Sequence, residues 1–256
     1  MYRPYISLSM AMLMSSLITP TYAAIIQVTF TGNVTQVSDL TGNIFGVAAP
    51  LVGDSVTGTF TYESNSSPSD QDSSSQIGDY YNTGINWVDS IIYANGVSYT
   101  VGPYDGPYGF NSIDNDFSYN ENESVYGTDP PVDYYDIGDV ESYYQIDSQN
   151  ILYQFNNSLY FSINEYIDEF ITADSLPLGP LTWSDNDESD YGAGRYAFLD
   201  NVYNFNTSQR LRLENASFEF SVNTMNIAPI PILPPIWLFG SGMLGLVGIA
   251  RRKKAV

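Results

Sequence analysis

Carboxylates are the abundant reactive groups of this chain: 29 of its 256 residues are Asp or Glu, and both histidine and cysteine are absent. Asp185, Asn186, Asp187, Glu188, Ser189 and Asp190, with Gly192 close behind, place oxygen ligands at alternate positions beside a glycine. That composition is loosely that of a calcium loop, although the strict Asp-x-Asp-x-Asp-Gly spacing and the distal bidentate Glu are missing. Asp185, Asp187 and Asp190 are therefore candidate Ca²⁺ ligands, and Ca²⁺ is the only cofactor the sequence suggests. A solvated acidic loop has the same composition. Asp114, Asn115 and Asp116, and residues 136–141, are weaker cases of the same kind. Two carboxyls about 5–10 Å apart across a cleft could also hydrolyse a glycosidic bond. With so many acids chance supplies such pairs freely, and the sequence nominates none. Glu165 and Glu169 would share a face only if their segment were helical.

The missing residue types exclude more than the present ones establish. Without His or Cys there is no Ser-His-Asp or Cys-His nucleophile and no usual zinc site. A Ser/Lys device needs a lysine, and the only lysines are Lys253 and Lys254 at the extreme C-terminus. No catalytic residue is assigned, and the expectation is a protein that is not an enzyme.

Charge is divided sharply along the chain. Arg3 lies near the start, and Arg251, Arg252, Lys253 and Lys254 lie near the end. Residues 24–226 between them hold three arginines (Arg195, Arg210 and Arg212) against all 29 acids, a formal charge of −26. Such a field repels phosphate backbones and attracts cations, so nucleic acid is not an expected partner. The same charge also confers solubility outside a cell.

The elements that must position these groups read as strands. Ile26, Val28 and Phe30 alternate with polar residues, as do Val56, Gly58, Phe60 and Tyr62, which is the period of a strand with one buried face. Asn95-Gly96 between two apolar runs is a strong hairpin signal, because a type I′ turn needs two positive φ angles. It predicts Ile92 and Ala94 on one face with Val97 and Tyr99. A second hairpin is expected around Asn156-Asn157. The apolar phase changes between Leu211/Leu213 and Ala216/Phe218/Phe220/Val222, so a bulge is expected at Glu214-Asn215. Residues 163–173 could be a helix or a strand. Residues 64–75 read as a surface loop, and residues 104–139 as a polar stretch between strands, rich in Asp, Asn, Gly and Tyr. Paired tyrosines recur at 80–81, 134–135 and 143–144; such residues border a core or stack on sugars. The expected fold is all-β: one antiparallel, jelly-roll-like β-sandwich over residues 24–226, a size that one domain can have.

Both ends look membrane-directed. Residues 1–23 have the basic start, apolar core and small-residue cleavage site of a secretory signal peptide, with Ala23 as the last residue of the leader; a buried N-terminal helix is the alternative. Residues 227–235 form a proline-rich connector with Pro229, Pro231, Pro234 and Pro235. Residues 236–250 are 15 uncharged, mostly apolar residues, about 22 Å as a helix, a short transmembrane segment. The basic residues Arg251, Arg252, Lys253 and Lys254, within the tail 251–256, then act as a stop-transfer cluster that stays in the cytoplasm.

This order of proline motif, glycine-bearing apolar helix and basic cluster resembles the C-terminal sorting signal of the PEP-CTERM and VPLPA-CTERM class of exported proteins of Gram-negative bacteria. The likeness is carried by the four prolines, by Trp237-Leu238-Phe239-Gly240-Ser241-Gly242, by Gly245-Leu246-Val247-Gly248 and by the basic cluster. The Glu of the Pro-Glu-Pro form is absent, with Ile230-Pro231-Ile232-Leu233-Pro234-Pro235 in its place. The strings from Ile26 to Gly32 and from Gly53 to Tyr62 are similar to the first two strands of many proteins bearing this tail. The resemblance implies cleavage near the prolines by an exosortase-type membrane enzyme as partner, transient anchoring in the inner membrane, and a link with exopolysaccharide and biofilm. An exported, non-enzymatic surface or matrix protein is the expected function. A Ca²⁺-dependent carbohydrate-binding module is the alternative, and a polysaccharide-active hydrolase comes third.

Overall fold

In the computed structural model of the chain, residues 24–42, 44–64, 77–81, 87–101, 107–117, 132–165, 176–177, 179–185 and 190–230 are described. They are all-β and antiparallel, with no α-helix among them. The strands are β1 (Ile25–Asp39), β2 (Ser55–Glu63), β3 (Ile77–Tyr81), β4 (Val88–Ala94), β5 (Val97–Thr100), β6 (Pro107–Phe117), β7 (Val132–Ile146), β8 (Ile151–Glu165), β9 (Leu181–Ser184), β10 (Tyr191–Asn204) and β11 (Gln209–Ile230). Where two layers were expected, every strand joins one hydrogen-bonded path in the order β3-β6-β7-β8-β10-β11-β1-β2-β4-β5, with β9 attached to β11. The sheet curls into a half-barrel. β4 comes close to β7 and β8 across the interior.

Strand alternation fills that interior. Ile26, Val28 and Phe30 of β1 and Val56, Phe60 and Tyr62 of β2 are buried, while the threonines between them face outward. Phe30 stacks on Phe220 with ring centres 5.4 Å apart and lies 4.9 Å from Phe161, which meets Phe60 edge-on at 5.6 Å. Each large ring has a small neighbour in the next strand: Gly58 pairs with Phe30, and Gly194 pairs with both Phe220 and Phe161. A Cβ at Gly194 would collide with the Phe220 ring and lie 2.7 Å from the Phe161 Cβ.

Several expectations are corrected. The Asn95-Gly96 hairpin forms as read, with φ of 49° and 73°, and Ala94 pairs with Val97 and Ile92 with Tyr99. The turn expected at Asn156-Asn157 does not form. Both residues sit inside β8, which pairs with β7 on one edge and β10 on the other, and those two ladders satisfy the backbone that a turn would have freed. The turn falls instead at residues 147–150, where the Asp147 carboxylate accepts the N–H groups of Gln149 and Ile151 and Asn150 takes a φ of 56°. The bulge opposite β10 lies at Leu211 rather than Glu214-Asn215, and Leu211 faces water. The polar stretch 104–139 contains β6 and the first half of β7. The run read as a connector from residue 227 is sheet as far as Ile230, with Ile227 wholly buried.

Replacing Gly194 by Ala should destabilise the chain by roughly 1–3 kcal/mol through overpacking, and Phe161→Ala by about 3–5 kcal/mol through the cavity it leaves. Urea denaturation of the variants checks both; a neutral Gly194→Ala would show that the rings are not held as tightly as their positions imply.

Candidate functional site

Of the residues singled out by composition, only some fall among the described residues. Asp185, just beyond β9, is exposed, and its N–H donates to the Asn223 carbonyl at 3.0 Å. Asp190 is half-buried before β10, and Asp187 lies outside the described residues. Among the described residues no three His, Cys, Asp or Glu side chains converge as a metal-binding group. Pro229 is an exposed residue of β11 paired with Ile26, past the point where β9 ends, so that edge of the strand is open to a residue without an N–H. Ala23, Pro231, Pro234, Pro235, Arg251, Arg252, Lys253 and Lys254 lie outside the described residues, as does the apolar run 236–250. Among the described residues no helix is long and apolar enough to cross a membrane. Of the paired tyrosines, Tyr135 belongs to the core, while Tyr134 hydrogen-bonds to Asp136 and Tyr143 to Gln145. Glu165, considered as a helical carboxylate, ends β8 and accepts the indole N–H of buried Trp183 at 3.0 Å.

The unusual chemistry sits on β7. Tyr135, Ile137, Asp139 and Glu141 follow one another at the two-residue period of a strand, so the two carboxyls enter the interior on the same face as the core residues before them. Asp139 is 0 % exposed and Glu141 1 %. Glu141 is paired on β8 with Asn157, itself buried and on the same inner face. Ser90 of β4 reaches across the interior, and its hydroxyl donates to Asp139 Oδ2 at 2.8 Å. The Asn157 side-chain N–H donates to the Thr100 carbonyl of β5 at 3.0 Å. Asp139 Oδ1, Glu141 Oε1 and Asn157 Oδ1 have no hydrogen-bond partner.

Electrostatics follow from this placement. Burial pushes the Asp139 carboxyl up to about 7; the hydroxyl and N–H of Ser90 oppose the rise, and the negative charges of Asp89 and Glu141 add to it. Burial likewise pushes Glu141 up to about 7. Asp39 behaves in the opposite way at the end of β1. Its partial burial acts to raise it, but hydrogen bonds from the N–H groups of Phe45, Gly42 and Thr41 and from the Thr41 hydroxyl hold it below the ordinary carboxylate value. Asp39 is a loop-fastening residue, whereas Asp139 has only the hydroxyl and N–H of Ser90 to offset its burial.

The outer face is different in kind. A depression of about 350 Å³ lies over β11 between β9 and β1, bordered by Thr29, Thr31, Thr182, Ser184, Thr224 and Asn226. Cross-strand registry aligns these side chains: Ser184, Thr224, Thr31 and Thr57 form one row, and Thr182, Asn226, Thr29 and Thr59 the next. The Thr31 and Thr224 hydroxyls are 2.7 Å apart. None of these residues is charged, although residues 24–226 are strongly anionic.

Comparison of the chain with protein-family models, with curated proteins and with solved structures finds no match.

The sign of the pH effect at Asp139 follows from its raised pKa. Between the ordinary value of 3.8 and about 7 the folded chain keeps a proton that the unfolded chain has lost, so stability falls as pH rises through that window and levels off above it. In chelator-containing buffer, the stability of Asp139→Asn relative to the unsubstituted chain should therefore grow by roughly 2–4 kcal/mol from pH 4 to pH 8. Urea denaturation across that range measures it, and a difference independent of pH would contradict the assignment.

Proposed function

We propose that the chain is an exported, non-enzymatic surface or extracellular-matrix protein, delivered by a PEP-CTERM-like C-terminal sorting signal and associated with exopolysaccharide in a biofilm. The observation that carries this reading is the pairing of Ile25 with Ile230. The segment after the leader and the segment before the apolar tail leave the sheet side by side, so both membrane-directed ends depart from one place on the folded passenger. The approach of β4 to β7 and β8 across the interior also supports reading the passenger as a jelly-roll-like sandwich. In this mechanism the leader directs translocation, and the short apolar run 236–250 stops in the inner membrane against Arg251, Arg252, Lys253 and Lys254. An exosortase-type enzyme then cuts the connector and releases the domain.

The strand boundary narrows where the cut can fall. Ile227 is wholly buried and pairs with both β1 and β9, so cleavage before it would strip a core residue from the sheet, and cleavage between it and Ile230 would remove residues still paired with β1. Intact-mass measurement of the exported protein should give an N-terminus at Ala24 and a C-terminus within residues 231–235. Recovery of the whole polypeptide from the cytosol, with Met1 and Val256 both retained, would refute the delivery reading.

The outer groove favours a second reading, a Ca²⁺-dependent carbohydrate-binding module. Uncharged hydroxyl and amide groups suit a neutral sugar, and about 350 Å³ is within the range of ligand pockets. Affinity electrophoresis in neutral polysaccharide gels separates the two: a purely structural passenger migrates unretarded, whereas a sugar-binding one is slowed, and Thr224→Arg relieves the retardation. A polysaccharide hydrolase ranks behind both, because the carboxyls with the pKa of a general acid, Asp139 and Glu141, are sealed from any polymer.

A further inference from the structure

We propose that Asp139, Glu141 and Asn157, with the hydroxyl of Ser90, form an interior all-oxygen site for a divalent cation of the calcium type, distinct from the candidate ligands Asp185, Asp187 and Asp190. The two carboxyls alone would be only an acidic cluster. What points to a ligand is Asn157, 7 % exposed, on the same inner face and directly opposite Glu141, with its Oδ1 unpartnered. Its orientation is fixed from the other side: the Thr100 carbonyl requires the amide N–H at 3.0 Å, so the oxygen must point elsewhere. Three neighbouring positions thus present oxygens with no hydrogen-bond partner, and once both carboxyls are ionised they have no donor to share. Water can bridge such groups but does not neutralise two charges.

Among the described residues no cationic side chain is bonded to these carboxyls. Residues 24–226 contain no lysine or histidine, and their arginines, Arg195, Arg210 and Arg212, lie on β10 and β11. Arg212 is engaged by Asp200 at 2.9 Å, and Arg195 donates to Ser217. Asp89 of β4 adds a further negative charge from the facing strand. Two carboxylates, an amide oxygen and a hydroxyl are hard ligands, and their combined charge of −2 matches one divalent ion. Ca²⁺, which tolerates irregular oxygen cages, fits better than Mg²⁺. So few charged ligands place the affinity in the roughly 10⁻⁴–10⁻³ M class of extracellular modules.

The test uses the full chain in detergent, with CaCl₂ as the probe and EDTA as the reference. At pH 7.5, saturating Ca²⁺ should raise the melting temperature by roughly 5 °C or more. Asp139→Asn and Glu141→Gln should abolish that rise and melt above the unsubstituted chain in EDTA, whereas Asp185→Asn should keep the rise. Absence of any Ca²⁺ effect overturns the proposal, as does an effect that survives both β7 substitutions. Should those variants fail to fold, Asn157→Ala is the second variant: it removes the unpartnered amide oxygen and should reduce the Ca²⁺-induced rise at least by half, whereas an undiminished rise refutes the site.

Discussion

The contact of Phe30 with Phe161 and Phe220 is the constraint on which the curl depends. Strands β8 and β1 are not neighbours in the sheet; β10 and β11 lie between them. Their side chains meet only because the sheet bends, and the ring centres of Phe30 and Phe161 are 4.9 Å apart as a result. Room for that approach comes from Gly194, which stands in β10 where any side chain would occupy the space of the two rings beside it. Aromatic pairs at such separations gain from both area burial and ring electrostatics. A flat sheet of the same strands would forfeit that contact and expose Phe30, Phe60 and Phe161 on one face.

The same bend creates the acidic interior. β7 runs beside β8 and carries its inward face from Tyr135 and Ile137 on to Asp139 and Glu141, toward the end where Ser142 and Tyr143 emerge. Because the sheet curls, β4 and β5 lie over that face, and Ser90 and the Thr100 carbonyl are within reach of Asp139 and Asn157. A carboxyl placed there loses water on every side and gains a single hydroxyl and an N–H in return. That imbalance raises both pKa values, and it arises from packing rather than from any local sequence device.

Local chemistry made some of this readable. The apolar alternation of β1 and β2 and the Asn95-Gly96 turn depend on residues adjacent in sequence, and they appear where the pattern puts them. The misreadings share a cause in long-range pairing. Asn156-Asn157 has turn composition, yet β7 and β10 hold it extended between them. Ile227 to Ile230 looks like the start of a proline tether, yet β1 supplies a partner from some two hundred residues away. The inward run Tyr135, Ile137, Asp139, Glu141 obeys the period of a strand, but carboxyls at inward positions break the apolar pattern by which strands are recognised. Nothing near them in sequence indicates that Asn157 and Ser90 come from other strands to meet them. The outer threonine rows were visible strand by strand, whereas their alignment across β9, β11, β1 and β2 depends on register.

The length of β11 has a mechanical consequence. It is a single strand of 22 residues, roughly 70 Å end to end, with β1 and β10 hydrogen-bonded along most of it. At one end is Ile230; at the other is the β10–β11 tip, where Phe205 and Asn206 bond to Gln149 and Asn150 of the neighbouring tip. Tension applied between these two ends would load its hydrogen bonds in parallel as shear. Tension between Ile25 and Ile230 would instead peel β1 from β11 one pair at a time. The domain is therefore strong as a strut along its long axis and weak as a zipper at its paired termini.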